Sequence, residues 1–300
     1  MWLGVHGNEG AGDDDDEEEQ QHMHYGFIIP GGDLRTIVEL AGEAEEAGWD
    51  GVFYWDGICI PDAGPMFDPW VTLAAMAMRT TRVRIGAIIS PLSRRRPWKV
   101  ARETMTVDHL SGGRLVVPVG LGALDDGGFG KVGEPTDRKT RAELLDESLE
   151  ILTGLWSGKP FSFSGKHYHL DEMTFVPPPV QQPRIPIWVV GAWPRERSIQ
   201  RALRYDGVLP GKLNPDGTPG EMTPDDLRAL AAYVAERRTN AAAPFDIVTE
   251  GQTPGDDAER ARALVRPWAE AGATWWNEAM WGAETPAVRA RIRQGPPRIA

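Results

Sequence analysis

EAGWDGVFYW, at residues 46–55, is the stretch that decides the fold: a helical pattern ends at Gly48 and an apolar run begins at Val52. Glycine just past the end of a helix adopts the left-handed conformation that stops it. A short apolar run without alternating polar residues is typical of a strand buried on both faces. The same order recurs in SGGRLVV at 111–117, YDGVL at 205–209 and EAGATWW at 270–276. The chain therefore repeats one unit, a helix followed by a buried strand.

Eight such strands are predicted along the chain, at 25–30, 52–55, 83–90, 115–121, 185–190, 207–209, 245–249 and 273–277. Helical patterns separate most of them, and the clearest are at 34–47 and 137–156, where Thr136 or Asp137 can cap the helix start. Parallel strands need crossover helices, and closing eight of them into a barrel removes exposed edges. We therefore predict an α/β fold, a single (β/α)8 TIM barrel. A doubly wound open sheet is the alternative.

Two segments interrupt the repeat. Residues 157–184 contain FSF, HYH and PPP, and they predict a β-hairpin and an extended proline-rich segment inserted before the fifth strand. The connection at 210–224 is rich in glycine and proline. Each segment is either a lid over the barrel or plain surface structure.

Charge is concentrated at the amino terminus, where residues 13–19 are seven consecutive acids out of a chain whose net charge is −12. Such a run repels itself and buries nothing, so residues 1–22 are expected to form a disordered acidic tail before a barrel domain at 23–300. The remainder is mildly acidic and has no basic stripe, which argues against nucleic acid as a partner. No apolar run approaches the roughly 18 residues that span a bilayer, so no membrane partner is expected. Cys59 is the single cysteine of the chain, which excludes an internal disulfide and fits a reducing cytoplasm.

Several catalytic motifs are absent from the sequence. None of the six histidines lies at the carboxyl end of a predicted barrel strand, where barrel enzymes keep their chemistry, so no metal site is predicted. The sequence has neither a nucleophile elbow nor a P-loop. Gly120-Leu121-Gly122 lacks the third glycine of a dinucleotide fingerprint, because Asp125 stands in its place.

The predicted strand ends are instead rich in aromatic residues and glycine. Trp55 and Asp56 end the second strand, glycines follow the fourth and fifth, and Trp276-Asn277-Glu278 ends the eighth. Flat apolar walls, close-approach glycines and few polar groups suit a planar cofactor that carries the reaction itself. Trp55 and Trp276 either contact that cofactor or its substrate, with Asn277 beside them, or fill the barrel. Asp56 and Glu278 are the candidate catalytic residues, as proton donors or substrate anchors, because each ends a strand at the active face.

At this point the sequence resembles a known family. The segment SPLSRRRPWKVARETMTVDHLSGGR at 90–114, LLDE at 144–147, LWSG at 155–158, PPVQ at 178–181 and IPIWV at 185–189 are similar to motifs of the luciferase-like monooxygenase superfamily. The resemblance covers residues 23 to about 282. It implies a (β/α)8 barrel that uses either flavin mononucleotide (FMN) or the deazaflavin coenzyme F420.

The resemblance also implies where the cofactor binds. Ala87, Ile88 and Ile89, with Ser90 after them, would form a bulge with a non-proline cis peptide that supports the ring system. Gly120 and Gly122 would admit the ribityl chain. The phosphate would lie at Gly191, Ala192 and Trp193. Asp56 would meet the polar edge of the ring or the substrate.

The implied function is an oxidoreductase or monooxygenase that acts on a small organic substrate by hydride transfer or oxygen activation. A homodimer and a separate flavin reductase are further partners that the resemblance suggests. The deazaflavin sugar-phosphate dehydrogenases of this superfamily carry a His after the Asp of the second strand and a Glu after the Gly-x-Gly of the fourth. Here those positions are Gly57 and Ala123, which argues against that alcohol-oxidising activity. The alternative is a catalytically inactive flavin-binding barrel protein.

Overall fold

The computed structural model describes residues 23–240 and 243–299, so the predicted tail at 1–22 lies outside the described residues. The strands are β1 His24–Ile28, β2 Gly51–Tyr54, β3 Arg84–Ala87, β4 Ser90–Pro91, β5 Val117–Gly120, β6 Phe161–Ser164, β7 His169–Met173, β8 Ile187–Trp193, β9 Gly207–Leu213, β10 Pro219–Gly220, β11 Asp246–Gly251 and β12 Trp275–Ala279. The helices are α1 Leu34–Glu46, α2 Pro69–Arg79, α3 Pro97–Ser111, α4 Arg138–Trp156, α5 Glu196–Ala202, α6 Pro224–Arg237, α7 Ala258–Glu270 and α8 Thr285–Arg293. No helix within the described ranges is long and apolar enough to cross a membrane.

The principal sheet is parallel and closes on itself. Its hydrogen-bonded order is β3-β2-β1-β12-β11-β9-β8-β5-β4. A parallel bridge closes the ring by joining Ile85 of β3 to Leu115, which lies two residues before β5. Next to it, the N–H of Val116 donates to the carbonyl of Ile85 at 2.9 Å. The predicted (β/α)8 barrel is therefore confirmed, and the open-sheet alternative is wrong.

The third predicted strand, at 83–90, is divided in the structure. β3 and β4 share one position in the ring, and between them Ile88 and Ile89 are joined by a cis peptide bond. After Val116, the next residue whose N–H could bond to the strand formed by β3 and β4 is Pro118 of β5. Proline has no N–H to donate. The proline of β5 is tolerated because the ladder is already interrupted at this point.

Polar residues fix the helix starts, as the sequence patterns indicate. The Asp33 side chain accepts from the N–H groups of Arg35 and Thr36 at the start of α1, and Asp137 accepts from the N–H of Thr140 at the start of α4. These bonds satisfy donors that a helix leaves unpaired in its first turn. Both predicted helices, at 34–47 and 137–156, are present within one residue of their expected bounds.

The expected hairpin is formed by β6 and β7, which pair antiparallel before the fifth ring position. One carboxylate, that of Glu147 on α4, accepts the backbone N–H groups of Lys166, His167 and Tyr168 and so ties the hairpin turn to the helix layer. A second short hairpin, β9 with β10, occupies the predicted long connection after the sixth strand.

Buried side chains fill the interior of the ring, and they come from seven of its eight strand positions; the eighth, β9, contributes a partly buried one. They are Ile28, Phe53, Ile88, Val116, Trp188, Val248, Trp275 and Ala279, with Leu209 of β9 partly buried against them. Beneath them, Asp246 accepts the indole N–H groups of Trp188 at 2.9 Å and Trp275 at 3.1 Å. A cavity lies above this filling, at the carboxyl ends of the strands, where barrel enzymes hold their ligands.

Candidate active site

The carboxyl ends of the strands surround a cavity of about 1210 Å³. Its inner wall is largely apolar and includes Trp55, Ile88, Ile89, Gly120 and Val190. Cavities for single small ligands usually measure about 300–1,000 Å³, so this one can hold a cofactor together with a second molecule.

The outer part of the cavity is lined by a basic cluster formed by Arg138, Lys139, Arg195, Arg197, Arg201 and Arg204. Asp146 neutralises part of it, since its carboxylate accepts from Arg201 Nε at 2.6 Å and from Arg204 at 3.1 Å. Burial and the nearby guanidinium groups of Arg195 and Arg201 lower the pKa of Arg138. These positive charges therefore lie close enough to destabilise one another, and an anion bound among them would relieve that repulsion.

Asp56 lines the inner wall but is held by two arginines. Its side chain is 0% exposed, and it accepts from Arg95 at 3.0 and 2.7 Å and from Arg94 at 3.1 Å. Arg94 also pairs with Asp126, another residue of the wall. Burial acts to raise the pKa of Asp126, but the bond from Arg94 and three backbone N–H donors outweigh it and lower this pKa to about 2.

Two glycines keep the inner cavity open. A Cβ at Gly120 would lie 2.9 Å from Val190 Cγ2 and 3.0 Å from Ile89 Cγ2, both in the wall. Gly122 has a φ of +79°, a left-handed conformation that other residues rarely adopt. The bare backbone at these two glycines therefore fits the close approach of a flat or chain-like group.

The residues that the family resemblance implies for cofactor binding fall into two groups, those that line the cavity and those that do not. Ile88, Ile89, Gly120, Gly122 and Ala192 line the cavity, and the cis peptide lies at the expected place between the two isoleucines. Ala87, Ser90, Gly191 and Trp193 do not line it.

The second group is engaged elsewhere. A Cβ at Gly191 would meet Ile199 and Val208 at 2.7 Å, so this glycine lets α5 pack on the barrel. Trp193 packs edge-on against Tyr233 at 5.8 Å between ring centroids. The hydroxyl of Ser90 is buried and, among the described residues, has no hydrogen-bond partner.

The residues expected at the end of the eighth strand do not line the cavity either. Trp276 packs on Trp268, and Glu278 is 0% exposed and forms an ion pair with Arg291 at 3.3 Å. The carboxylate of Glu278 also accepts from Thr253 N–H at 2.7 Å. Asn277 is buried, and its Oδ1 finds no hydrogen-bond partner among the described residues. The structure thus brings Asp56 and Trp55 to the cavity and leaves Trp276, Asn277 and Glu278 out of its wall.

Sequence reasoning missed the basic cluster. Its signal was available: Arg197, Arg201 and Arg204 are spaced by one helical turn directly after a predicted barrel strand. Arg138 and Lys139 begin the helix after the fourth predicted strand, on the same active rim.

A closed parallel barrel with a large cavity at the carboxyl ends of its strands has the architecture of a barrel enzyme. The family model described as luciferase-like monooxygenase matches residues 11–295. The chain belongs to this family, as the sequence motifs predicted.

Known proteins similar to this chain use both cofactors. An F420-dependent glucose-6-phosphate dehydrogenase of Nakamurella multipartita is 29% identical over 241 residues, which are 78% of this chain and 68% of that protein. The solved structure of an F420-dependent secondary alcohol dehydrogenase in complex with an F420–acetone adduct shares the fold with a TM-score of 0.74 at 18% identity, over 91% of this chain and 96% of that one. The oxygenating constituent of a Pseudomonas putida 3,6-diketocamphane monooxygenase, in complex with FMN, shares it with a TM-score of 0.62 at 19% identity, over 81% and 71% of the two chains.

Family membership confirms the predicted enzyme class, an F420- or flavin-dependent oxidoreductase or monooxygenase, and the predicted pair of alternative cofactors. Nothing in the structure or in these similarities supports the inactive alternative.

Proposed function

We propose that this chain is an F420-dependent oxidoreductase that passes hydride to a small, electron-poor organic substrate. The observation that carries the proposal is the basic cluster at the outer part of the cavity. When bound, the deazaflavin supplies or accepts a hydride and reacts poorly with oxygen. It differs from FMN in carrying glutamate carboxylates beyond its phosphate, so it presents more negative charge to the protein.

The number of unpaired cations in the cavity favours F420 over FMN, because F420 carries more negative charge. Arg201 and Arg204 share Asp146, whereas Arg138, Lys139, Arg195 and Arg197 form no ion pair with any described residue. A single phosphate is satisfied by two or three donors, because one guanidinium already binds it in a bidentate manner. Four further cations around one cavity suit a ligand with several separated anionic groups.

The inner wall supports a ring that reacts in a dry environment. Trp55, Ile88 and Val190 present apolar surface there, and Gly120 leaves room for close approach. Apolar walls of this kind would keep water from a bound ring, which favours hydride transfer over side reactions. The contribution of the protein is to position the ring and to surround it with apolar groups.

The direction of the reaction follows from the acids that line the cavity, because each of them is paired with a cation and none is a free base. Asp56 and Asp126 are both held by Arg94, and Gly57 and Ala123 replace the His and Glu of the sugar-phosphate dehydrogenases. Alcohol oxidation needs a group that removes the hydroxyl proton. Reduction of a substrate by the reduced deazaflavin is therefore the favoured direction.

Equilibrium titration with F420 and with FMN tests the proposal. We expect F420 to bind more tightly, with an affinity that falls as salt rises because ionic contacts are screened. Arg138→Gln and Arg197→Gln should each weaken F420 binding by about tenfold, the effect of losing one charged hydrogen bond. Arg228→Gln, an exposed arginine on α6 that pairs with Asp225, is the matched control and should leave the affinity unchanged.

Tighter binding of FMN, together with oxygen consumption by the protein when it holds reduced FMN, would contradict the proposal and indicate an oxygenase.

A further inference from the structure

Glu250 lies near the end of β11, on the face that points into the barrel. Val248, two residues earlier, belongs to the cluster that fills the ring, and Asp246, two before that, binds the indoles of Trp188 and Trp275 from the same cluster. Side chains two residues apart on a strand share a face. The side chain of Glu250 is therefore directed to the mouth of the barrel, above Val248.

A cavity residue contacts this carboxyl directly. Trp281 lines the cavity and is 51% exposed, and its indole N–H donates to Glu250 Oε1 at 3.4 Å. Glu250 is not itself a lining residue, and this bond places its carboxyl next to one of them, beside the cavity.

The four acids that line the cavity are neutralised by cations, and so is Glu278 at the end of β12. Asp56 and Asp126 bind arginines of the segment after β4, Asp146 binds Arg201 and Arg204, Glu143 binds Lys166 and His167, and Glu278 binds Arg291. Glu250 forms no ion pair with any described residue. In contrast to these five acids, the carboxyl of Glu250 is not held in its ionised form by a neighbouring cation.

The surroundings of Glu250 favour its neutral form. The Glu250 side chain reaches solvent at the rim, yet the protein atoms around it limit its hydration and raise its pKa, and the hydrogen bond from Trp281 acts to lower it. Asn277, which is uncharged, lies opposite it on β12, and on β9 Lys212 is engaged by Asp226. No charged side chain of the described residues contributes to this pKa.

We propose that Glu250 is the catalytic residue that donates a proton to the substrate in the reduction, an inference that rests on the proposed function. The C=C or C=O bond of the substrate gains hydride at one atom and the Glu250 proton at the other. The substrate is reduced by two electrons and the deazaflavin is oxidised by two. The carboxylate then regains its proton from solvent, which reaches Glu250 at the rim.

Two measurements test this role, and the first concerns the carboxyl itself. Difference infrared titration of the wild type against Glu250→Gln, in the F420 complex, gives the pKa of Glu250. We expect a pKa above the ordinary glutamate range, and higher still in Trp281→Phe, because that variant lacks the indole donor. An ordinary pKa in the complex would overturn the proposal.

The second measurement is the anaerobic reduction of cyclohex-2-en-1-one, menadione and 4-nitrobenzoate by reduced F420, followed by the return of the oxidised deazaflavin spectrum. We expect the wild-type kcat/KM for the enone to fall as pH rises through the pKa measured for Glu250. Glu250→Gln should be at least about tenfold slower and should lose this pH dependence, while its F420 affinity is unchanged. Glu172→Gln, an exposed carboxyl on the inserted hairpin, is the control for removal of a carboxylate and should match the wild type.

The outcomes separate this proposal from the one it rests on. A Glu250→Gln variant with wild-type kcat/KM and pH profile would overturn the role of Glu250 and leave hydride transfer standing. Failure of F420 to bind, or of all three acceptors to be reduced, would count against the proposed function itself.

Discussion

Arg95 holds the carboxylate of Asp56 through two parallel hydrogen bonds, from Nε to Oδ2 at 3.0 Å and from Nη2 to Oδ1 at 2.7 Å. The pair joins the loop after β2 to the segment after β4, on either side of the cavity wall. Arg94 adds a third bond to the same carboxylate at 3.1 Å. Asp56 is therefore bound as a bridge between two elements of the rim.

Replacing Asp56 by Asn should destabilise the protein. The substitution keeps the shape of the side chain but leaves the guanidinium of Arg95 without its counter-ion and that of Arg94 with Asp126 alone; an uncompensated buried charge costs about 3–5 kcal/mol in comparable cases. Urea denaturation should show this loss in the free energy of unfolding. Glu103→Gln removes a partly buried partner of the exposed Lys99 and should change that free energy by less than about 1 kcal/mol.

The opposite pattern would restore the catalytic role that the sequence suggested for Asp56. In that case Asp56→Asn would unfold at the wild-type urea concentration and yet lose turnover.

Asp126 should make stability fall in acid. Its pKa is lowered to about 2 in the folded protein from an ordinary value of 3.8. The unfolded state therefore takes up the proton first, and the stabilisation is fully present above pH 4 and disappears as pH falls through 2. At 1.36 kcal/mol for each pKa unit the contribution is about 2 kcal/mol.

The check compares the wild type with Asp126→Asn by urea denaturation at several pH values. The gap in unfolding free energy should be widest near pH 6 and should narrow between pH 4 and 2. A gap that stays constant across this range would show that Asp126 is not held in its ionised form by Arg94.

The fold was readable from the sequence because each helix–strand junction repeats the same chemistry. All eight ring positions were found from apolar runs such as those beginning at Val52 and Ala273. The break between β3 and β4 was not readable in this way, because Ile88 and Ile89 are as apolar as the strand around them. Only the resemblance to a family placed the cis peptide there.

The site was harder to read, because the end of a strand does not reveal which way a side chain points. Glu278 and Glu250 both lie at strand ends, yet Glu250 follows the inward face and Glu278 the outward one. Strands buried on both faces lack the alternation that would separate these two cases in a sequence. The pairing of Glu278 with Arg291 also joins residues of separate elements, which no local pattern indicates.

Glu278→Gln should affect folding more than cofactor binding. The substitution leaves Arg291, whose side chain is 5% exposed, without its carboxylate. We expect the free energy of unfolding to fall by about 3 kcal/mol. The F420 dissociation constant should be unchanged, because Glu278 does not line the cavity.

A double variant, Glu278→Gln with Arg291→Gln, provides the control, because removing both charges should cost less than the sum of the two single changes. Wild-type stability in Glu278→Gln, combined with lost turnover, would support the proton-donor role that the sequence suggested.

Gly120→Ala should narrow the inner cavity without unfolding the barrel. The added methyl would lie 2.9 Å from Val190 Cγ2 and 3.0 Å from Ile89 Cγ2, so these wall residues must shift toward the space that the ring would occupy. One methyl group in a close-fitting pocket changes affinity by about tenfold or more, and we expect the F420 dissociation constant to rise by that factor. Gly211→Ala is the matched control, because no atom lies within 4 Å of its added Cβ and it too is on a barrel strand. Equal F420 affinity in the two alanine variants would show that the ring does not approach β5 at Gly120.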